Sequence, residues 1–136
     1  MSGSLNYEDF MMITLKTLSQ ATEQEVFDQV AKHMLTQNKK SKDIRRELSY
    51  DGCLYRSPDG LKCAAGCLIA DDEYDPKFEN KHWGALTASF PDVIPLKHEE
   101  LISDLQEIHD TVDVYYWKDY LIELTNKFNL NWNFGE

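Results

Sequence analysis

The sequence predicts a mainly α-helical fold with a minor β component. We expect a compact single domain, residues 1–136, of about four main helices with a small β-hairpin inserted after the second. Apolar residues recur at intervals of three and four in several segments, which is typical of helices packed on a core. A turn sequence between two short arms predicts the hairpin. The length of 136 residues, 42% of them hydrophobic, fits one core, and neither a repeat nor a linker divides the chain.

The first helix is predicted near the N-terminus. Residues 1–5 are expected to fray. Asn6 followed by Asp9 resembles a helix start, and apolar positions at helical spacing continue from there to Leu18.

The second helix has the clearer start. Thr22 and Glu25 form a capping box, in which each side chain satisfies the other residue's free backbone N–H. Apolar residues at helical spacing then continue from Val26 to Leu35. Residues 37–49 follow as a polar, basic connection that contains five of the fourteen cationic residues.

The β-hairpin is predicted over residues 53–63. At its centre, Ser57–Gly60 is a type I turn sequence, since proline presets φ at the second position and glycine is favoured at the fourth. Small residues from Cys63 to Ala70 then predict a short helix. Gly66 costs that helix about 1 kcal/mol, and a close backbone contact would explain its presence.

An acidic run at residues 71–75 ends this short helix and is expected to be solvated. It lacks the glycine and terminal glutamate of a calcium-binding loop. One of its acids is expected to form an ion pair with Arg56 or Lys62. Residues 77–97 look mostly irregular, with Trp83 as a core anchor.

Two further helices are predicted in the C-terminal part. One covers about residues 98–111, and Asp113 could cap the other, whose apolar residues alternate spacings of three and four as far as Phe128. Residues 129–136 change to strict alternation, which is a strand period, and predict an extended tail.

Charge and composition limit the possible functions. The net charge is −10, and residues 71–136 contain fifteen acidic residues and five lysines, so the whole excess lies there. Such a surface repels phosphate backbones and favours basic partners, so nucleic acid is not an expected ligand. No apolar run approaches the roughly 20 residues of a membrane helix, and no secretory signal is recognisable. The odd number of cysteines favours the reducing cytoplasm.

The three cysteines are the first candidate site. Cys53 and Cys63 would share a face of the predicted hairpin, and Cys67 would follow one helical turn later. Together with His82 they would form a three-cysteine, one-histidine zinc site. The paired spacing of zinc knuckles is absent, so buried free thiols without a cofactor are the competing interpretation.

A cysteine nucleophile is a further alternative. It would need a base such as His82 or His109 and a group that orients the base. Asp110 adjoins His109, but adjacent residues of a helix face different directions, so the two are not expected to act as a pair. Because no known signature surrounds a cysteine, no catalytic residue is assigned and the sequence leans against an enzyme.

A small-molecule site is also conceivable. The basic connection and the hairpin could bind a nucleotide phosphate. The residues that would bind it are Arg45, Arg46, Tyr55, Arg56 and Lys62.

Acidic and aromatic residues make the C-terminal half a candidate surface for a protein partner or for self-association into a homo-oligomer. Exposed tyrosine and tryptophan side chains commonly anchor interfaces. The predicted partner-binding residues are Glu99, Glu100, Asp104, Glu107, Asp110, Tyr115, Tyr116, Tyr120 and Trp132.

The centre of the chain carries the motif Cys53-x-Tyr55-Arg56-x₃-Gly60-x-Lys62-Cys63-Ala64-x-Gly66-Cys67-Leu68-Ile69-x-Asp71. This motif, within a looser similarity from about Glu25 to Phe128, resembles a group of small uncharacterised proteins. They are encoded by bacteriophages, prophages and some bacteria, and commonly have proline where Ala70 stands. The resemblance transfers no activity, but it implies an accessory protein that acts in the cytoplasm of a bacterial host cell.

These observations predict a non-enzymatic binding protein. It would be a phage-type accessory factor that blocks a host protein, such as a defence protein, with its acidic, aromatic C-terminal half. The acids would mimic a phosphate backbone and occupy a basic cleft. The alternatives are a binder, or sponge, of a small molecule or nucleotide signal, and a zinc-stabilised domain or cysteine enzyme.

Overall fold

A computed structural model describes residues 12–42 and 53–135 of the protein. The mainly helical prediction is confirmed. These residues form four α-helices: α1 (Glu23–Gln37), α2 (Trp83–Ser89), α3 (Glu99–Thr111) and α4 (Trp117–Phe128). Helix α3 contacts the other three and is the centre of the core. None of the helices in the described ranges is both long enough and apolar enough to cross a bilayer.

Helix α1 begins at the predicted capping box. The Glu25 N–H donates to the Thr22 hydroxyl (3.1 Å), and the Thr22 N–H donates to the Glu25 carboxylate (2.9 Å). The helix ends at Asn38, whose φ of +55° lies in the left-handed region that asparagine tolerates. Its apolar face, centred on Phe27 and Val30, is fully buried.

Three glutamines of α1 bind the backbone of distant loops. Each uses both its carboxamide oxygen and its carboxamide nitrogen on main-chain groups, so that the segment before α1, the middle of the chain and the tail are attached to one helix. The contacts are Gln24 with Asn131 (2.9 and 3.0 Å), Gln29 with Ile13 (2.7 and 2.9 Å) and with Cys67 (3.2 Å), and Gln37 with Lys62 (3.1 and 2.8 Å).

The first predicted helix is not formed by the described residues of its segment. Its start lies outside the described residues, and the remainder forms turns that lead to a 3₁₀-helix at Leu18–Gln20. The Glu73 carboxylate accepts the N–H groups of Leu15 and Lys16 (2.9 and 3.1 Å), which an α-helix would bond internally. Glu73 is therefore half-buried and bonded, although its acidic run was expected to be solvated.

The predicted β-hairpin is right in its turn and wrong in its strands. The Gly60 N–H donates to the Ser57 carbonyl (3.0 Å) and the Ser57 N–H donates to the Leu61 carbonyl (2.9 Å), with Gly60 at a φ of +90°. Nevertheless, the described residues contain no β-strand.

The arms of the hairpin do not pair because other residues take their backbone groups. The Leu54 N–H donates to the Ser41 carbonyl (2.7 Å), and the Ser41 hydroxyl donates to the Leu54 carbonyl (2.7 Å). The Glu79 carboxylate accepts the N–H groups of Tyr55 and Arg56 (3.0 and 3.1 Å). These backbone groups are therefore not available for a strand ladder.

The small-residue segment forms a single 3₁₀-helix, Ala65–Leu68, rather than the longer helix predicted over Cys63–Ala70. The predicted close contact at Gly66 is confirmed. A Cβ at this position would overlap the Tyr55 carbonyl oxygen and lie 3.2 Å from the carbonyl carbon. Only glycine allows the two backbone segments to lie this close.

The segment 77–97, expected to be mostly irregular, contains α2. This helix is only seven residues long, and its N-cap residue His82 makes no side-chain capping bond, so the usual start signal is missing. Trp83 is fully buried, as predicted for a core anchor.

Both C-terminal helices are confirmed. The buried apolar residues of α3 run from Leu101 to Ile108. The Asp113 carboxylate accepts the Tyr115 N–H (2.9 Å) and caps a 3₁₀-helix, Val114–Tyr116, that leads directly into α4.

The tail follows its predicted alternation without pairing as a strand. Leu130, Trp132 and Phe134 are half-buried against the core, and the asparagines between them are exposed. The period of two therefore determines which side chains face the core. Gln24 of α1 forms hydrogen bonds with the tail backbone at Asn131.

Candidate functional site

The start of α4 presents the most exposed aromatic surface in the described residues. Tyr115, Tyr116 and Tyr120 are 83%, 50% and 47% exposed. Tyr116 and Tyr120 share one side of the helix with Asp119 and Glu123, because residues three and four apart are neighbours. Tyr115 packs edge-on against Tyr116, with ring centroids 5.0 Å apart. We call these five residues the tyrosine face.

The acids of the tyrosine face are open to solvent. Asp119 and Glu123 are exposed, and neither forms an ion pair with another described residue. Sequence reasoning included the tyrosines but missed these two acids. They follow Tyr116 by three and seven residues, a spacing that predicts the same side of a helix.

The five acids predicted on α3 do not form one free stripe. Lys127 lies 3.4 Å from the Glu100 carboxylate and 2.7 Å from the Asp104 carboxylate, so one cation offsets both. Glu99 and Asp110 are half-buried, and Glu107 is exposed.

Trp132 is also less available than expected. Its ring packs at 6.2 Å from the Phe27 ring and 5.2 Å from the Phe134 ring, and its N–H donates to the Gly135 carbonyl (2.6 Å). It stabilises the tail rather than standing free for a partner.

The described residues of the predicted nucleotide site each make contacts within the fold. Arg45 and Arg46 lie outside the described residues. Arg56 pairs with Asp71 (2.7 Å), as predicted for the acidic run, and also donates to the Ile69 carbonyl (2.7 Å).

The two other members of that set contact different parts of the structure. Tyr55 is buried, and its hydroxyl donates to the Lys81 carbonyl (2.7 Å). The backbone of Lys62 contacts α1 through Gln37 and through His33 (2.9 Å). Burial lowers the pKa of His33, which keeps the ring neutral in this contact.

The cysteines do not assemble as predicted. Within the part of the chain that is described, the group whose metal-binding atoms lie together is Cys53, His109 and Asp110, all within 4.8 Å of one another. Cys63 and Cys67 belong to no such group, and burial raises the pKa of Cys67 to about 12. His82 is exposed and also lies outside the group.

His109 and Asp110 form a pair, contrary to the sequence expectation. His109 Nδ1 and an Asp110 carboxylate oxygen are 2.9 Å apart. The ring is completely buried and stacks on Trp117, with centroids 5.2 Å apart. The Ser41 N–H donates to His109 Nε2 (3.3 Å), so in the neutral ring the proton lies on Nδ1 and is donated to Asp110.

Asp110 is held by a second polar side chain. The Gln106 carboxamide donates to the same carboxylate oxygen (2.7 Å). Burial, and then the nearby Asp110 charge and hydrogen bond, raise the pKa of Cys53 to about 12. At neutral pH Cys53 is therefore a thiol and not the thiolate that a nucleophile requires.

A cleft of about 320 Å³ opens beside this group. Cys53 and Asp110 belong to its wall, whereas His109 lies behind them. The other lining residues are Tyr55, Asn80, Lys81, His82, Trp83, Gly84, Ser103, Gln106 and Glu107.

Comparison with known proteins finds no matching family model, no significantly similar curated protein and no significantly similar solved structure.

Proposed function

We propose that this protein is a non-enzymatic binding protein that docks on a basic surface of a partner protein through its tyrosine face. The observation that carries the proposal is the exposure of three tyrosines around the start of α4, next to two exposed acids that pair with no other residue of the described ranges. Exposed aromatic residues of this kind are enriched among the residues that supply most of the energy of an interface.

Charge determines the kind of partner. The net charge of −10 is concentrated in residues 71–136, which include the tyrosine face. A basic partner is attracted over distance and oriented by this charge. Tyrosine suits the contact because its large ring is restricted by only two side-chain torsions and its hydroxyl can bond to a polar rim.

The resemblance of the central motif supports a biological setting. A phage-type accessory factor would act on a host protein in the bacterial cytoplasm and block it sterically. The tyrosine face would then occupy a basic cleft that the host protein uses for a phosphate-bearing ligand, with Asp119 and Glu123 in place of phosphates.

The experiment compares two matched pairs of variants. Tyr116→Ser with Tyr120→Ser removes the aromatic anchors, and Leu96→Ser is its control, because Leu96 is 68% exposed elsewhere. Asp119→Lys reverses a charge of the tyrosine face, and Asp92→Lys reverses one of a different exposed turn. Tagged full-length chains capture proteins from bacterial lysate, and the captured protein is identified, purified and titrated against each variant.

We expect a basic protein whose affinity falls at least about tenfold with the tyrosine variant and also falls with Asp119→Lys or with added salt. Both controls should bind like the wild type. Equal binding by the tyrosine variant, or capture of nucleic acid alone, would refute the proposal. Sedimentation of the purified chain distinguishes a foreign partner from a second copy, which would instead appear as a dimer that the tyrosine variant dissociates.

A further inference from the structure

We propose that Cys53, His109 and Asp110 form a zinc site that opens into the adjacent cleft. This ligand set differs from the four residues that the sequence suggested. It rests on the convergence of one sulfur, one nitrogen and one oxygen ligand within 4.8 Å, and it does not depend on the tyrosine face.

The donor set selects zinc among common divalent ions. Thiolate and imidazole suit zinc, whereas magnesium and calcium require shells of oxygen ligands. Three protein ligands with an open fourth position is the arrangement of a zinc site that can accept a water or a ligand. Because Cys53 and Asp110 line the cleft while His109 is buried behind them, the open position faces the cleft.

The surroundings hold two of the ligands in place. Gln106 fixes the Asp110 carboxylate at 2.7 Å, which is the kind of outer contact that orients metal ligands. Stacking on Trp117 fixes the plane of the His109 ring. His109 Nδ1 already points to Asp110 at 2.9 Å, close to the separation of two ligands that share one small cation.

Zinc binding requires a defined exchange of protons. Cys53 releases its thiol proton to solvent and binds as the thiolate. The His109 proton moves from Nδ1 to Nε2, so Nδ1 becomes free to bind the metal and Nε2 becomes a donor. Nε2 can then no longer accept the Ser41 N–H, and this long bond of 3.3 Å is lost. The Ser41 amide, which is not itself a ligand, therefore reports metal binding at His109.

The test uses the full chain, stripped of metal with a chelator and titrated separately with Zn²⁺, Co²⁺ and Mg²⁺. We expect one equivalent of Zn²⁺ or Co²⁺ to bind, no saturable binding of Mg²⁺, and a thiolate-to-cobalt absorption band. Cys53→Ser should abolish the band, and Asp110→Asn should weaken binding at least about tenfold. Cys67→Ser is the matched control and should retain both the absorption band and the affinity for the metal. In the wild type, Zn²⁺ should also accelerate hydrogen exchange of the Ser41 amide.

If Cys53→Ser does not fold, the rate of thiol alkylation in the wild type is measured instead. Zn²⁺ should protect Cys53 from alkylation and leave the reactivity of Cys67 unchanged. Absence of saturable Zn²⁺ binding, a cobalt band that survives in folded Cys53→Ser, or alkylation of Cys53 unaffected by Zn²⁺ would each overturn the zinc site.

Discussion

Gly66→Ala tests the packing of the centre of the fold. The new methyl group would overlap the Tyr55 carbonyl oxygen, and that peptide has little freedom to move. The Arg56 N–H of the same peptide and the Tyr55 N–H are both bonded to the Glu79 carboxylate, and the Tyr55 hydroxyl is bonded to the Lys81 carbonyl. The methyl group must therefore displace backbone rather than a mobile side chain.

The expected magnitude follows from two opposed effects. Overpacking of a rigid core costs about 1–3 kcal/mol, and replacement of glycine by alanine returns about 0.4–1 kcal/mol through the unfolded state. We expect Gly66→Ala to lower the free energy of unfolding by about 1–2 kcal/mol. For a chain of this length, that lowers the melting temperature by about 3–8 °C.

Gly84→Ala is the matched control. A Cβ at Gly84 would lie 2.8 Å from a carboxylate oxygen of Glu99, the far end of a half-buried side chain that can rotate away. Alanine also favours helix α2 by up to about 1 kcal/mol, so this variant should be as stable as the wild type or slightly more so. Urea denaturation followed by circular dichroism measures both. Equal stability of Gly66→Ala and wild type, or an equal loss in Gly84→Ala, would refute the reasoning.

Two further variants test polar contacts. Glu79→Gln should lower the free energy of unfolding by about 2–4 kcal/mol, because the carboxylate accepts the N–H groups of Tyr55 and Arg56 and the Tyr74 hydroxyl, and a carboxamide presents a donor to at least one of them. Urea titration measures this, and a loss under about 0.5 kcal/mol would contradict it. His33→Gln should change the pH dependence of stability. Burial lowers the folded-state pKa of His33 below 6.5, so its contribution is fully present above pH 6.5 and is lost as the pH falls below that value. The wild type should therefore lose more stability than the variant between pH 7.5 and 5.5 in thermal melts, and parallel losses would show that His33 is not responsible.

The sequence predicted those elements whose signals are local. The box of Thr22 and Glu25 gave the start of α1, and apolar spacing gave α3 within about one residue and the end of α4 at Phe128; the predicted first turn after Asp113 is a 3₁₀-helix, and α4 itself begins at Trp117. The turn at Ser57–Gly60 was equally local, because proline and glycine set its backbone angles. The exposed tyrosines could be named but not assigned to the surface without the structure.

The elements that failed depend on contacts between residues far apart in the chain. Several backbone groups of the hairpin arms bond to Ser41 and Glu79 instead of to the facing arm. No sequence pattern near residue 53 predicts these contacts. Helix α2 is short and has no side-chain cap. The group at His109 was missed because adjacent helix residues were expected to diverge, whereas the Asp110 carboxylate lies 2.9 Å from the imidazole.

The attachment of three separate loops to one helix constrains the order in which the chain can fold. Helix α1 has its own local start signal and can form early, but the N-terminal turns, the central segment and the tail cannot become ordered before its glutamines are in register. A shift of α1 by one residue would release all three loops at once. Unfolding of this molecule should therefore be all-or-none, and neither half of the chain should be stable when it is expressed without the other.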